Sequence, residues 1–205
     1  MARAIDAVLL DLGNVLVFHD DAKLFARIAA LGTVSAEEAR DALAPFWRRF
    51  HLGEIAGDGL RSVVCGVAGR ALGEREFLEL WNCHFRIHDA VLPLVEGLLG
   101  RVKVLLLSNT EAFHFAYLRP HLPILARFDS LVLSHELGLA KPDPAIFREA
   151  LRRAGTSPEA TAYFDDLPRY VEASRALGIE GRIFTDAAAF ERDLRELRLL
   201  GRGVA

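Results

Sequence analysis

The chain has 205 residues, 52% of them hydrophobic and 26% charged, with a formal net charge of −3. That length suits one large domain or one domain carrying a substantial insertion, and the composition excludes a disordered or fibrous architecture. The near-neutral charge gives no electrostatic reason to expect nucleic acid or an anionic membrane as the main partner.

Met1 to Leu10 lacks the long apolar region and cleavage site of a signal peptide, and no apolar stretch reaches the roughly 18 to 20 residues of a membrane span. The expectation is a soluble cytoplasmic protein, monomeric or homodimeric. Cys65 and Cys83 have no CxxC or Cys/His cluster around them, which predicts two reduced, buried thiols and no structural zinc.

In chain order, Ala7-Val-Leu-Leu10 predicts a first strand buried on both faces. From about residue 20 to about residue 90 there is no clear strand; amphipathic runs at Lys23 to Leu31, Ala36 to Phe50, Gly59 to Leu72 and Glu74 to Phe85 predict a helical insertion. Ser35-Ala-Glu-Glu38 fits a capping box at the start of the second of these helices. Further strands are predicted at Val104–Leu107, Leu131–Leu133, Thr161–Phe164 and Arg182–Thr185. Helices are predicted at Pro144–Ala154 and Tyr170–Leu177, stopped by Gly155 and Gly178, with Ser157-Pro158-Glu159 as a helix start between them. The Arg/Glu-rich run from Phe190 to Arg202 predicts a solvated amphipathic helix with Leu194, Leu197 and Leu200 as its buried stripe.

Alternating strands and helices predict a parallel sheet. The expected fold is α/β: a Rossmann-like three-layer core from residues 1–19 and 90–205, with a small α-helical cap, residues 20–89, inserted after the first strand.

In such a sheet the ligand crevice lies at the carboxyl ends of the strands. There the sequence places Asp11-Leu-Gly-Asn-Val-Leu16, then Ser108-Asn-Thr110, then Lys141-Pro-Asp143, then Asp165-Asp166. Converging carboxylates repel one another unless a cation sits among them, and an oxygen-only site suits Mg²⁺. With Mg²⁺ and Lys141 neutralising a phosphoryl group, a carboxylate can act as nucleophile, and Asp11 is the candidate.

These four segments, in this order and separation, resemble the motifs of the haloacid dehalogenase-like hydrolases over essentially the whole chain. Asp11-Leu-Gly-Asn-Val-Leu, Leu107-Ser-Asn-Thr, Ser134-His-Glu-Leu-Gly-Leu-Ala-Lys-Pro and Phe164-Asp-Asp are similar to a bacterial branch that includes sugar-phosphate phosphatases active on glucose 1-phosphate. The resemblance implies Asp11 as nucleophile, Ser108 and the Asn109 amide as phosphate cradle, and Lys141 as the cation orienting both. It implies a metal site of Asp11, the Gly13 carbonyl, Asp165 as direct ligand, and Asp166 directly or through water. In the insertion, Trp47-Arg-Arg-Phe-His-Leu-Gly-Glu-Ile55 resembles the segment by which related caps approach the site, with Arg48, Arg49, His51 and Glu54 as candidate substrate contacts.

One departure matters. Most phosphatases of this family have an aspartate two residues after the nucleophile as general acid and base, where this chain has Gly13. Loss of a positioned acid costs about 10² to 10⁴ in rate. The departure predicts a slow enzyme, or a substrate with an easily leaving oxygen such as an anomeric or acyl phosphate, or a proton supplied by His19, Asp20, Asp21 or the cap. The ligand expected is a small phosphorylated metabolite. Rival readings are a 2-haloacid dehalogenase, which the paired Asp165-Asp166 disfavours, and a non-catalytic phosphate-binding protein on the same fold. His84, His88, His114, His121 and His135 lack ligand spacing and read as surface or satisfied core.

Overall fold

The computed structural model describes residues 4–32 and 34–200. Strand β1 (Ala7–Leu10) leads into β2 (Val17–His19), then helices α1 (Asp21–Ala29), α2 (Ala36–Leu43), α3 (Trp47–His51), α4 (Asp58–Ala68) and α5 (Glu74–Trp81). The chain returns through β3 (Phe85–Ile87), α6 (Leu92–Glu96), β4 (Lys103–Ser108), α7 (Ala112–His121), β5 (Ser130–Leu133), α8 (Ser134–Leu137) and α9 (Pro144–Ala154). It ends with β6 (Thr161–Asp165), α10 (Pro168–Arg175), β7 (Glu180–Ile183) and α11 (Ala187–Glu196).

The five-stranded sheet has the order β5-β4-β1-β6-β7, and every pairing in it is parallel. Successive side chains of a strand point to opposite faces, so Val8 and Leu10 join one apolar cluster with Leu106 and Phe164. Ala7 and Leu9 join another with Leu105, Phe147 and Tyr163. The sheet is thus buried on both faces, the middle of three layers. After β5 the chain crosses to the other side of β1, so the switch in strand order sits beside β1 and the loops after β1, β4 and β6 converge.

Local chemistry sets the helix ends. The capping box of α2 is present: Glu38 N–H donates to Ser35 Oγ at 3.2 Å and Ser35 N–H to Glu38 Oε2 at 2.8 Å. Asp143 caps α9 by accepting from Ala145 N–H at 2.8 Å, and Gly155 ends that helix in the left-handed conformation. Between these stops Ile146, Phe147 and Leu151 are buried against the sheet. Each such side chain stabilises the fold by about 1.5–3 kcal/mol.

The insertion has a core of its own, in which Leu24, Ile28, Leu43, Phe50, Leu60, Val64, Phe77 and Trp81 are fully buried. The expected helix from Ala36 to Phe50 is broken: Pro45 has no N–H to donate, and a 3₁₀ turn at Ala44–Phe46 separates α2 from α3. The run from Glu74 stops at Trp81, and Phe85–Ile87 pairs antiparallel with Val17–His19, so residues 20–90 are not free of strand. Three residues are too few to declare a period, which hid both strands of this ribbon. Gly53, in a left-handed conformation (φ 70°), lets the turn after α3 press onto α8. A Cβ there would stand 2.3 Å from the His135 carbonyl oxygen.

Four other expectations shift. The fifth strand is Glu180–Ile183, two residues earlier than predicted, because Gly181 serves as a strand residue on which Ser174 and Val171 of α10 pack. Ser157 makes no side-chain cap, and Pro158–Ala160 is a single 3₁₀ turn leading into β6. Helix α11 stops at Glu196; Leu194 is fully buried, while the end of the predicted helix at Arg202 lies outside the described residues. Cys65 and Cys83 are free as expected but only half-buried. Among the described residues no helix is long and apolar enough to cross a membrane.

Candidate active site

Asp11 follows β1 directly, and its N–H donates to the Phe164 carbonyl at 3.0 Å, which fixes it beside the end of β6. Ser108 closes β4, Asp165 closes β6, and Lys141 arrives on the loop before α9. Lys141 Nζ is buried 2.9 Å from Asp11 Oδ1 and 2.6 Å from Asp165 Oδ2. Burial works against its charge, but the two facing carboxylates outweigh it and hold its pKa above the usual lysine value.

One ammonium does not neutralise this cluster. Burial, with Asp165 adding to it and Lys141 opposing, lifts the Asp11 carboxyl from 3.8 to about 7. Ligand oxygens of Asp11, Asp165 and Asp166 all lie within 4.8 Å of one another. Such an oxygen-only, charge-rich set fits a hard divalent cation.

The two adjacent aspartates differ. Asp165 is fully buried: Oδ2 accepts from Lys141 and from the Tyr163 hydroxyl, and Oδ1 accepts from the Leu167 N–H at 2.8 Å. Asp166 lines the cavity and accepts from Asn14 Nδ2 at 2.9 Å. The cavity-facing carboxylate of the pair is therefore Asp166, whereas the resemblance pointed first to Asp165.

The cradle is braced from behind. Asn109 Nδ2 donates to the Lys141 carbonyl at 2.9 Å, and the Lys141 N–H donates to Asn109 Oδ1 at 2.8 Å, so the Asn109 side chain positions Lys141. Ser134 Oγ donates to the Thr110 carbonyl and accepts from the Thr110 N–H, both at 3.0 Å, pinning the loop after β4.

Above these residues lies a cavity of about 380 Å³, bounded below by Asp11, Ser108 and Lys141 and above by Trp47, His51, His84 and His114. Of the residues expected on the insertion side, His51 faces the cavity. Arg48 and Arg49 are exposed and outside it, Arg49 pairing with Glu54 at 3.4 Å. Helix α3 turns its aromatic face inward, which sends the adjacent arginines to solvent. Asp20 also lies outside the cavity; its carboxylate caps α1 by accepting from the Lys23 N–H at 3.2 Å.

Sequence reasoning passed over three features of the walls. His84 and His114 read as surface or satisfied core, yet both are buried side chains that line the cavity. His84 Nδ1 has no hydrogen-bond partner among the described residues, whereas His114 Nε2 lies 3.1 Å from the Trp81 carbonyl. Burial lowers both imidazoles to about 3 and His51 to about 4, so all three are neutral. The third feature is Asn14, whose positive φ of 53° is the kind of backbone that Asn tolerates, and which alone could have marked it. His88 Nδ1 donates to the Val15 carbonyl at 3.0 Å, within the core, and His121 is exposed.

Comparison with known proteins gives a consistent picture. Residues 5–178 match the family of haloacid dehalogenase-like hydrolases. The chain is 28% identical to a D-ribitol-5-phosphate phosphatase of Bacteroides thetaiotaomicron over 84% of this chain and 88% of that one. A HAD-family enzyme from Bacteroides thetaiotaomicron, solved in complex with magnesium and inorganic phosphate, superposes with a TM-score of 0.82 at 26% identity, covering 89% of this chain and 96% of that one. An L-2-haloacid dehalogenase from Xanthobacter autotrophicus shares the fold, with a TM-score of 0.63 at 17% identity over 94% of this chain and 83% of that one.

Proposed function

Because the chain belongs to the haloacid dehalogenase-like hydrolases, we propose that it is a magnesium-dependent phosphatase of small phosphate monoesters, sugar and polyol phosphates among them. The observation that carries this reading is Asp11 beside Asp165, Asp166 and Lys141 at the floor of the cavity. A dehalogenation needs no divalent cation, so three carboxylates gathered around one ammonium favour phosphoryl chemistry over the haloacid alternative. The magnesium and phosphate in the Bacteroides enzyme's structure support the same choice.

Asp11, the Gly13 carbonyl and Asp166 would hold the ion, with Asp165 behind them. Bound there, Mg²⁺ would offset the negative charge of the phosphoryl oxygens. Asp11 attacks phosphorus, forming an aspartyl phosphate and breaking the bond to the leaving oxygen; water then hydrolyses that intermediate. Lys141 favours the ionised form of Asp11 and aims it, and Ser108 with the Asn109 amide cradles the phosphoryl group. We take residues 20–89 as a cap that the β2–β3 ribbon joins to the core and that excludes water through Trp47 and His51.

The test is phosphate release from a panel of sugar, polyol and acyl phosphates, with Mg²⁺ and with EDTA, for the native chain and Asp11→Asn. Release that needs both Mg²⁺ and Asp11 supports the reading. No release from any substrate contradicts it.

A further inference from the structure

Resting on the phosphatase reading, the geometry points to His19 as the group that passes a proton to the leaving oxygen and later takes one from the attacking water. The proposal rests on where the ring stands. Gly13, two residues after Asp11, leaves an empty space beside the nucleophile, and the His19 ring stands over it. A Cβ built on Gly13 would lie 3.2 Å from His19 Cδ2 and 3.3 Å from Nε2. His19 closes β2, lines the same cavity as Asp11, and is partly open to it.

Both ring nitrogens are engaged in a way that suits the task. Nδ1 lies 3.2 Å from Asp21 Oδ1, the first residue of α1, so a carboxylate fixes the tautomer and the ring plane. Nε2 lies 3.2 Å from Asn14 Nδ2, on the side facing Gly13. With Nδ1–H on Asp21, Nε2 carries the lone pair and accepts from Asn14, which is the base form. The acid form exchanges that bond for one to the leaving oxygen. A carboxylate behind an imidazole whose far nitrogen faces the reacting atoms is the arrangement general acid–base catalysis needs.

The other ionisable groups on the cavity do not fit. His51, His84 and His114 are held neutral by burial. Lys141 is fixed between Asp11 and Asp165, and Asp166 accepts from Asn14 within the carboxylate cluster. The Tyr170 hydroxyl is engaged by Asn109 and Arg169 at 3.3 Å each, and a guanidinium does not give up its proton. Asp21 is engaged by His19 Nδ1 at 3.2 Å.

The steps balance. Asp11 Oδ bonds to phosphorus while the phosphorus–leaving-oxygen bond breaks, and that oxygen takes the His19 Nε2 proton. Water then bonds to phosphorus as its proton moves to Nε2 and the Asp11–phosphorus bond breaks. Alcohol and inorganic phosphate leave, and His19 is again protonated.

The experiment compares kcat/KM for p-nitrophenyl phosphate, whose phenolate leaves without a proton, and for D-ribitol 5-phosphate, whose alkoxide needs one. The variants are His19→Ala and Gly13→Asp/His19→Ala, each checked for folding by thermal unfolding. His19→Ala should lower the polyol-phosphate value by about 10² to 10⁴ more than the aryl value. The double variant, with a carboxyl in the vacated space, should recover about tenfold or more of that difference. Equal losses on both substrates, or no loss, would overturn the role of His19 while leaving the phosphatase reading intact. Absence of release by the native chain from these two and from every other member of the substrate panel would overturn the phosphatase reading and this proposal with it.

Discussion

Asn109 grips Lys141 by both of its backbone groups, across 32 residues of sequence, with bonds of 2.8 and 2.9 Å. This clasp sets the reach of the Lys141 ammonium to Asp11. Removing it in Asn109→Ala frees the loop, and small misplacements of a catalytic group cost up to about 10²-fold in rate. We expect kcat/KM to fall by roughly 10- to 100-fold with the fold retained, measured by steady-state kinetics beside circular dichroism.

Lys141→Met leaves Asp11 and Asp165 facing each other with no buried cation between them. Breaking a buried charge pair from one side destabilises by about 3–5 kcal/mol. Urea unfolding should show a loss of that order together with abolished phosphate release. Added Mg²⁺ should raise the Tm of this variant more than that of the native chain, since the cation then offsets the unpaired charge.

Acid should weaken the fold through its buried imidazoles. An unfolded histidine binds its proton below about 6.5, whereas folded His84 and His114 resist until about 3 because burial penalises the charged ring. Below pH 6.5 the unfolded state therefore takes up more protons. Stability is fully present above that pH and falls as the pH drops toward 3, by roughly 1.4 kcal/mol per pH unit for each such group. Glu111, raised by its own burial, acts in the opposite direction. His84→Leu, which removes the imidazole whose Nδ1 lacks a partner among the described residues, isolates one share. Its urea midpoint should fall less between pH 7 and pH 5 than the native one; an identical fall would contradict the assignment.

Gly53→Ala puts a Cβ 2.3 Å from the His135 carbonyl oxygen, on a backbone of φ 70°. The left-handed conformation alone costs about 1–2 kcal/mol for a residue with a Cβ, and the collision with backbone adds to it. The Tm should drop, and KM should rise more than kcat falls, because α3 carries Trp47 and His51 over the cavity.

The core and the chemical segments were legible because three of the strands are short apolar runs with a reactive residue immediately after, at Leu10–Asp11, Leu107–Ser108 and Phe164–Asp165, and Lys141-Pro-Asp143 follows the fourth at a short distance. The insertion was legible as helical from its spacing and its capping box. The β2–β3 ribbon was not, since Val17–His19 and Phe85–Ile87 are too short to show alternation, and the last strand was expected to begin at Arg182 although Glu180 and Gly181 already form it. At the site, Arg48 and Arg49 were expected as substrate contacts because Trp47 to Ile55 resembles the segment by which related caps approach the site, but α3 buries its aromatic side and turns the charges outward. His84, His114 and Asn14 carried no spacing signal, because contacts between residues far apart in sequence decide where they stand. Likewise, nothing local to Asp165-Asp166 says which of the two faces the cavity; Lys141 and Tyr163 decide it from other elements.

The most direct measurement on the central claim is to stop a turnover of p-nitrophenyl phosphate in the presence of Mg²⁺, reduce with borohydride, and map the modified residue by peptide mass spectrometry. The account predicts homoserine at position 11, from reduction of an aspartyl phosphate, absent with EDTA and absent in Asp11→Asn. Phosphate release that continues in Asp11→Asn, or reduction at any other carboxylate, would contradict it.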